Sequence, residues 1–192
     1  IISRDREMAI DLLDKYGFDY YKKKIPPKHK NIPDPIAYMN YPRFEYETYN
    51  YVKKLDPDIW TGIGGTTMSH VSTMLDIHSV LFTDTEHAKL ANTITFPFAD
   101  VIFTPTCYKH NIGPKQIRYP GYHELAYLHQ NRFTPHPSIL DYIDADRDDK
   151  IVILRLVSWE AVHDVGDSGF SDVVDVVRRL ESTGAKVVIT AE

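Results

Sequence analysis

Apolar and polar positions follow two alternating rhythms along this chain. Met8, Ile10, Leu12, Leu13 and Tyr16 fall at helical spacing, and Gly17 follows where a helix would end. Phe18-Asp19-Tyr20 is predicted to be a short strand, and 22–40, rich in Lys, Pro and Asn, a long loop. A helix is predicted from Tyr41 to Leu55, with Phe44, Tyr51, Val52 and Leu55 on one side and Asp56-Pro57-Asp58 as its stop. Strands are then predicted over 59–63, 78–82, 101–104 and 116–119, with helices over 67–75 and 88–96. After a loosely patterned stretch, 132–150, comes the buried-strand run 151–156. Phe170, Val173, Val174, Val177 and Leu180 make a helix face closed by Gly184, and 187–189 is a last strand. No repeat occurs at solenoid spacing.

This rhythm is that of an α/β protein with a mainly parallel, doubly wound, Rossmann-like sheet. It predicts a Rossmann-like domain over 1–135, a linker over 136–150, and the first βαβ unit of a second Rossmann-like domain over 151–192. One such unit buries too little surface to close its own core. The chain starts inside an apolar run, without Met, and stops as a strand finishes, so it is expected to be a fragment of a longer protein.

Composition narrows the function classes. The chain has 192 residues, 43% of them hydrophobic, and a net charge of -5. That balance carries no electrostatic footprint for nucleic acid. The run Lys22-Lys23-Lys24, with Lys28 and Lys30 beside Pro26-Pro27, reads as a solvated loop, the alternative being a phosphate or anionic-lipid contact that leaves peripheral membrane contact open. No apolar stretch is long enough to span a bilayer. The lone Cys107 excludes an internal disulfide and fits a reducing compartment, so a cytoplasmic location is expected. Its expected role is packing.

The candidate chemistry lies where strands end. Ser79-Val80-Leu81-Phe82 runs into Thr83-Asp84-Thr85-Glu86-His87. Open α/β sheets bind ligands outside the carboxyl ends of their strands. Asp84, Glu86 and His87 are therefore the candidate catalytic residues, expected to converge on one cleft with Gly64-Gly65. The alternative is that Asp84 or Thr85 caps the next helix. In Gly62-Ile63-Gly64-Gly65-Thr66-Thr67, Gly64, Gly65 and Thr66 are candidates for binding an anion at a helix N-terminus. This is not the dinucleotide fingerprint, because Thr67 stands at the third Gly position, and a tight turn explains the glycines equally well. His70, in the first turn of that helix, is a candidate ligand contact or a packing residue.

Two further loops carry candidates. His123 and Glu124 follow a strand within an aromatic Pro-Gly turn, which can line a cleft or simply pack. Arg155, Ser158, Trp159 and His163 leave the strand of the second unit and would face the first across an interdomain cleft. His129 follows His123-Glu124 at a spacing that cannot put two imidazoles on one helix face, so no metal site is expected.

Four segments in order resemble a known family. They are Thr83-Asp84-Thr85-Glu86-His87-Ala88-Lys89-Leu90; Phe96-Pro97-Phe98-Ala99-Asp100 with Thr104-Pro105; Tyr122-His123-Glu124-Leu125-Ala126-Tyr127-Leu128; and Leu154-Arg155 through Ser158-Trp159 with His163-Asp164. Over nearly the whole chain they resemble the archaeal and bacterial domain of unknown function (DUF) family 354, described as glycosyltransferase-like. The resemblance implies a GT-B plan, in which two Rossmann-like domains face each other. It also implies distant similarity to UDP-N-acetylglucosamine 2-epimerases and MurG-type transferases. A first strand with a glycine- and His-bearing loop would precede Ile1, and most of the nucleotide-binding domain would follow Glu192.

The implied function is transfer of a sugar from a nucleotide-sugar donor to an unknown acceptor, without a cofactor or a metal in the site. Glu86 or His87 would be the base or acceptor anchor, with Arg155 and His163 near the donor. Glu86 matches an epimerase active-site acid by motif position. Gly64-Gly65, however, stand where the epimerases have an Asp, and Phe96-Pro97-Phe98 replaces an acidic pair. Epimerisation needs acids and bases on both faces of the sugar, so these departures argue against it. A nucleotide-sugar epimerase and a non-catalytic sugar- or nucleotide-binding protein are the alternatives. The apolar strand near the end is also expected to favour homo-oligomers.

Overall fold

The computed structural model describes residues 1–4, 8–23, 35–156 and 170–191. In chain order the elements are β1 (Ile2–Arg4), α1 (Ala9–Lys15), β2 (Tyr21–Lys23), α2 (Pro35–Leu55), β3 (Ile59–Ile63), α3 (Thr66–Leu75), β4 (His78–Phe82) and α4 (Lys89–Thr95). A 3-10 turn (Phe96–Phe98) leads to β5 (Val101–Pro105), β6 (Gln116–Tyr119), α5 (Leu125–Leu128), α6 (Ile139–Tyr142), β7 (Lys150–Leu156), α7 (Val173–Glu181) and β8 (Ala185–Ala191).

The central sheet has the order β3-β4-β5-β6, with every neighbour parallel. Ile63 pairs with Phe82, Phe82 with Phe103, and Pro105 with Tyr119. All four strands therefore deliver their carboxyl ends to one edge. Parallel strands covered on both faces read as continuous apolar runs, and Leu81 and Ile102, paired across β4 and β5, are fully buried. They pack with Met68 and Ala99, against Trp60, Phe96 and Ile112. A second cluster, Val52, Val71 and Ile77, also touches Trp60. Met68 and Val71 belong to different clusters, so α3 packs between the sheet and α2. Two smaller parallel pairs, β1-β2 and β7-β8, complete the sheets. Asp172 caps α7 by accepting from Asp175 N–H at 2.9 Å.

Several boundaries differ from those predicted. The strand expected over 18–20 forms at β2 instead, where the Tyr21 ring stacks on Tyr51 of α2 at 4.1 Å. A packing partner on a distant helix, not local alternation, sets that position. The helix α2 starts at Pro35, inside the predicted loop, and runs through Pro42. Pro is favoured in a first helical turn, so Pro42 reads as a start, yet Pro35 can serve in the same way. One turn of helix, α6, lies inside the segment predicted to be a linker.

Candidate functional site

The carboxyl edge of the central sheet is stitched by backbone bonds between the segments leaving it. Gly64 N–H donates to Phe82 O at 3.0 Å, Thr83 N–H to Phe103 O at 3.0 Å, and Thr106 N–H to Tyr119 O at 2.9 Å. Three titratable side chains meet beyond these bonds. The Asp84 carboxylate follows β4 and is 43% exposed; His123, beyond the end of β6, is 14% exposed. His123 Nε2 lies 3.9 Å from Asp84 Oδ2, outside hydrogen-bond distance, and is buried with no hydrogen-bond partner. The other ring nitrogen, Nδ1, lies 2.5 Å from the Tyr119 hydroxyl. Phe82 meets the imidazole edge-on at 6.1 Å, and Tyr119 lies nearly parallel to it at 5.9 Å. Thr85 Oγ1 donates to Asp84 Oδ1 at 3.0 Å.

Burial raises the Tyr119 phenol above its ordinary value, and the charges of Asp84, Glu124 and Cys107 add to the rise. The phenol therefore keeps its proton at neutral pH.

Glu86 leans towards the loop after β5. Its Oε1 accepts the Lys109 N–H at 2.6 Å. Arg118 of β6 holds the same loop from another side, donating to the carbonyls of Thr106 and Tyr108 and, at 2.8 Å, to that of His110. Tyr108 is buried beneath, and its phenol is raised by that burial and then by the Glu86 charge, with Arg118 opposing. Glu86 is thus engaged on the β5 side of β4, whereas Gly64 lies on the β3 side. His87 is exposed, and its carbonyl accepts from Lys89 N–H at 2.7 Å. The helix after this turn, α4, starts at Lys89 with Ala88 at the N-cap position and no side-chain cap, so neither Asp84 nor Thr85 serves as one. Asn92 instead ties the turn down by donating to Thr85 O at 3.0 Å.

The chain matches, over residues 3–191, the family described as "Protein of unknown function (DUF354)". It belongs to DUF354. No curated protein matches it. Among solved structures, MurG of Acinetobacter baumannii is similar, with 13% identity and a TM-score of 0.52 over 99% of this chain. The DUF354 chain spans 58% of that MurG chain. At this identity the likeness carries the fold alone, and it is the Rossmann-like, GT-B-like architecture that the resemblance implied.

The remaining candidates of the DUF354 chain are held by local structure. Gly64 has φ +58°, in the left-handed region that favours glycine, and a Cβ on Gly65 would sit 3.0 Å from Met68 Cβ. A positive φ and a close helix approach thus account for both glycines. The Thr66 hydroxyl meets that of Thr95 at 2.7 Å. His70 Nδ1 lies 2.6 Å from Glu45 Oε1, and Nε2 lies 2.7 Å from Ile94 O. Both ring nitrogens face acceptors, so this imidazole joins α2, α3 and the end of α4, with Phe98 edge-on at 4.6 Å. Glu124 is exposed and precedes α5. Arg155 is exposed on β7, in a separate sheet, paired with Thr190. Ser158, Trp159 and His163 lie outside the described residues.

Among the described residues, no group of three or more His, Cys, Asp or Glu side chains is placed to hold a metal, and no helix is long and apolar enough to cross a membrane. An open apolar cleft of about 870 Å³ runs along Phe133, Pro137, Ile139, Leu140 and Ile151, away from the strand-end residues. Sequence reasoning missed Tyr108, Lys109 and Arg118. Their roles rest on backbone groups, which leave no side-chain pattern to read.

Proposed function

We propose that this DUF354 protein is a GT-B glycosyltransferase that moves a sugar from a nucleotide-sugar donor to an acceptor hydroxyl, with Asp84 as the base. The observation that carries this reading is the half-exposed Asp84 carboxylate, set beside a largely enclosed imidazole at the carboxyl edge of a MurG-like parallel sheet. In the proposed step the acceptor oxygen attacks the anomeric carbon and its proton passes to Asp84. The bond to the nucleoside diphosphate breaks, and the diphosphate leaves with the electron pair. Glu86 is the weaker base, because its carboxylate already accepts the Lys109 N–H. It holds the loop bordering the site, and exposed His87 is an acceptor anchor.

In this reading residues 1–135 bind the acceptor, 136–150 link, and 151–192 begin the donor domain, with Arg155, Ser158, Trp159 and His163 on the donor side. Helix N-termini and positive side chains meet the leaving diphosphate. The lone Cys107 fits a cytoplasmic enzyme.

The test is a panel of UDP-, GDP- and dTDP-sugars offered to the intact protein with and without sugar and lipid-linked acceptors. Turnover that needs an acceptor supports the transferase. Turnover of donor alone would make it an epimerase or hydrolase, and binding without turnover a binding protein. Asp84→Asn is expected to lower kcat by about 10²-fold or more while donor binding persists. A kcat within about threefold of wild type would remove Asp84 as the base.

A further inference from the structure

The His123 ring is enclosed, yet one of its nitrogens has no partner. Nε2 is buried and unbonded, with the Asp84 carboxylate facing it at 3.9 Å. A buried polar group left unpaired is costly. Phe82 lies edge-on to the ring on one side, at 6.1 Å, and Tyr119 nearly parallel to it on another, at 5.9 Å. Asp84 is the more exposed partner: it lies in the loop just after β4 and is 43% exposed. A movement of about 1 Å brings its oxygen within hydrogen-bond distance of Nε2.

Proton placement follows from the other nitrogen. Tyr119 closes β6, where its carbonyl is held by Thr106 N–H, so its hydroxyl is presented to Nδ1 from a fixed strand end. A phenol that keeps its proton can donate to an unprotonated Nδ1, which leaves the ring proton on Nε2. The opposite tautomer would point a lone pair from Nε2 at the Asp84 carboxylate. The two carboxylate oxygens then have separate anchors: Thr85 Oγ1 on Oδ1, seen at 3.0 Å, and Nε2–H on Oδ2. Further lone pairs on both oxygens stay available to a substrate hydroxyl.

We infer that Tyr119 and His123 are positioning residues for Asp84, with the Tyr119 hydroxyl fixing the His123 tautomer whose Nε2–H orients the Asp84 carboxylate towards the acceptor. This rests on Asp84 acting as the base. In the chemical step the acceptor proton goes to Asp84 alone. No proton passes through the His123 ring.

The experiment is nitrogen-15 NMR of histidine-labelled intact protein, with His123 assigned by its loss in His123→Gln. The wild-type ring should show an unprotonated Nδ1 and a protonated Nε2. Tyr119→Phe should shift the ring towards the Nδ1-protonated form, and Asp84→Asn should move the Nε2 proton signal upfield. A wild-type ring protonated at Nδ1 overturns the inference, as does an Nε2 proton signal unmoved in Asp84→Asn. That second variant changes a half-exposed side chain, so the test survives if Tyr119→Phe fails to fold. In turnover, Tyr119→Phe should lower kcat by about tenfold, within the loss of about 10²-fold that a 1 Å misplacement brings, and leave the donor KM in place. An unchanged kcat, with the expected tautomer, refutes positioning. A wild type that turns over no donor overturns the transferase reading instead, while the nitrogen signals still decide the coupling of the three side chains.

Discussion

Replacing Asp100 by Ala should loosen the sheet at the end opposite the site. Ser79 is the second residue of β4 and is fully buried. Its N–H and its hydroxyl both donate to Asp100 Oδ2, at 2.8 and 2.9 Å, and Asp100 N–H returns a bond to Ser79 Oγ at 3.0 Å. This three-bond clip sits beside the pairing of Val80 with Val101, from which the β4-β5 register runs up to Phe82, two residues before Asp84. Asp100→Ala leaves two buried Ser79 donors without their acceptor. Each costs about 1–3 kcal/mol when orphaned, but Asp100 is itself largely exposed, so water replaces part of the loss and about 2 kcal/mol is expected.

Asp100→Asn keeps one acceptor oxygen and should cost about 1 kcal/mol. The backbone hydrogen bond from Ser79 holds the Asp100 carboxyl below its ordinary value; burial opposes this, and the Ser79 hydroxyl, His78 and Lys115 reinforce it. A carboxylate whose folded value lies below its unfolded one, about 3.9, stabilises the fold fully above that value and loses its contribution as pH falls through the folded value. Urea denaturation at pH 7 and at steps down to about pH 3 reads both effects. The gap between wild type and Asp100→Ala should be flat near neutrality and shrink below about pH 4. A gap under about 0.5 kcal/mol at pH 7, or one that widens in acid, would refute the reasoning.

Arg118→Ala should free the carbonyls of Thr106, Tyr108 and His110, cost about 2 kcal/mol, and speed hydrogen exchange at the Lys109 amide; unchanged exchange would show that Glu86 holds the loop alone. Glu45→Ala removes the carboxylate facing His70 Nδ1 and should destabilise the fold by about 1–3 kcal/mol, measured in urea, with His70→Phe no less harmful. The phenols of Tyr108 and Tyr119 are raised, chiefly by burial, so both should ionise after the exposed tyrosines in an ultraviolet titration. Their stabilisation is complete below the unfolded value of about 10 and is lost as pH rises through the folded values; full tyrosine ionisation in one early step, with the fold intact, would contradict this.

Much of the sheet was legible from the chain alone. The predicted strands over 59–63, 78–82 and 116–119 coincide with β3, β4 and β6, because buried parallel strands need unbroken apolar runs bounded by turn residues. The family was legible too, since its four segments are short and local in sequence. What local pattern could not supply was partners. β2 lies where Tyr21 finds Tyr51, because distant packing overrides the local signal, and α2 begins at Pro35, the earlier of two prolines that can each open a helix.

The site divides in the same way. That Asp84, Glu86 and His123 leave strands at their carboxyl ends follows from sequence and the rule for parallel sheets. Which of them meet does not. Asp84 faces His123 because the order β4-β5-β6 brings two loops distant in sequence to one edge. Glu86 finds a backbone N–H in the loop between those two. His70, equally prominent as a residue type, is enclosed by Glu45 and Ile94 O and serves to join helices. Residue types and their periodicity are local properties and can be read along the chain. The pairing of a carboxylate with an imidazole or an amide depends on contacts between residues far apart in sequence, and only the folded sheet brings those together.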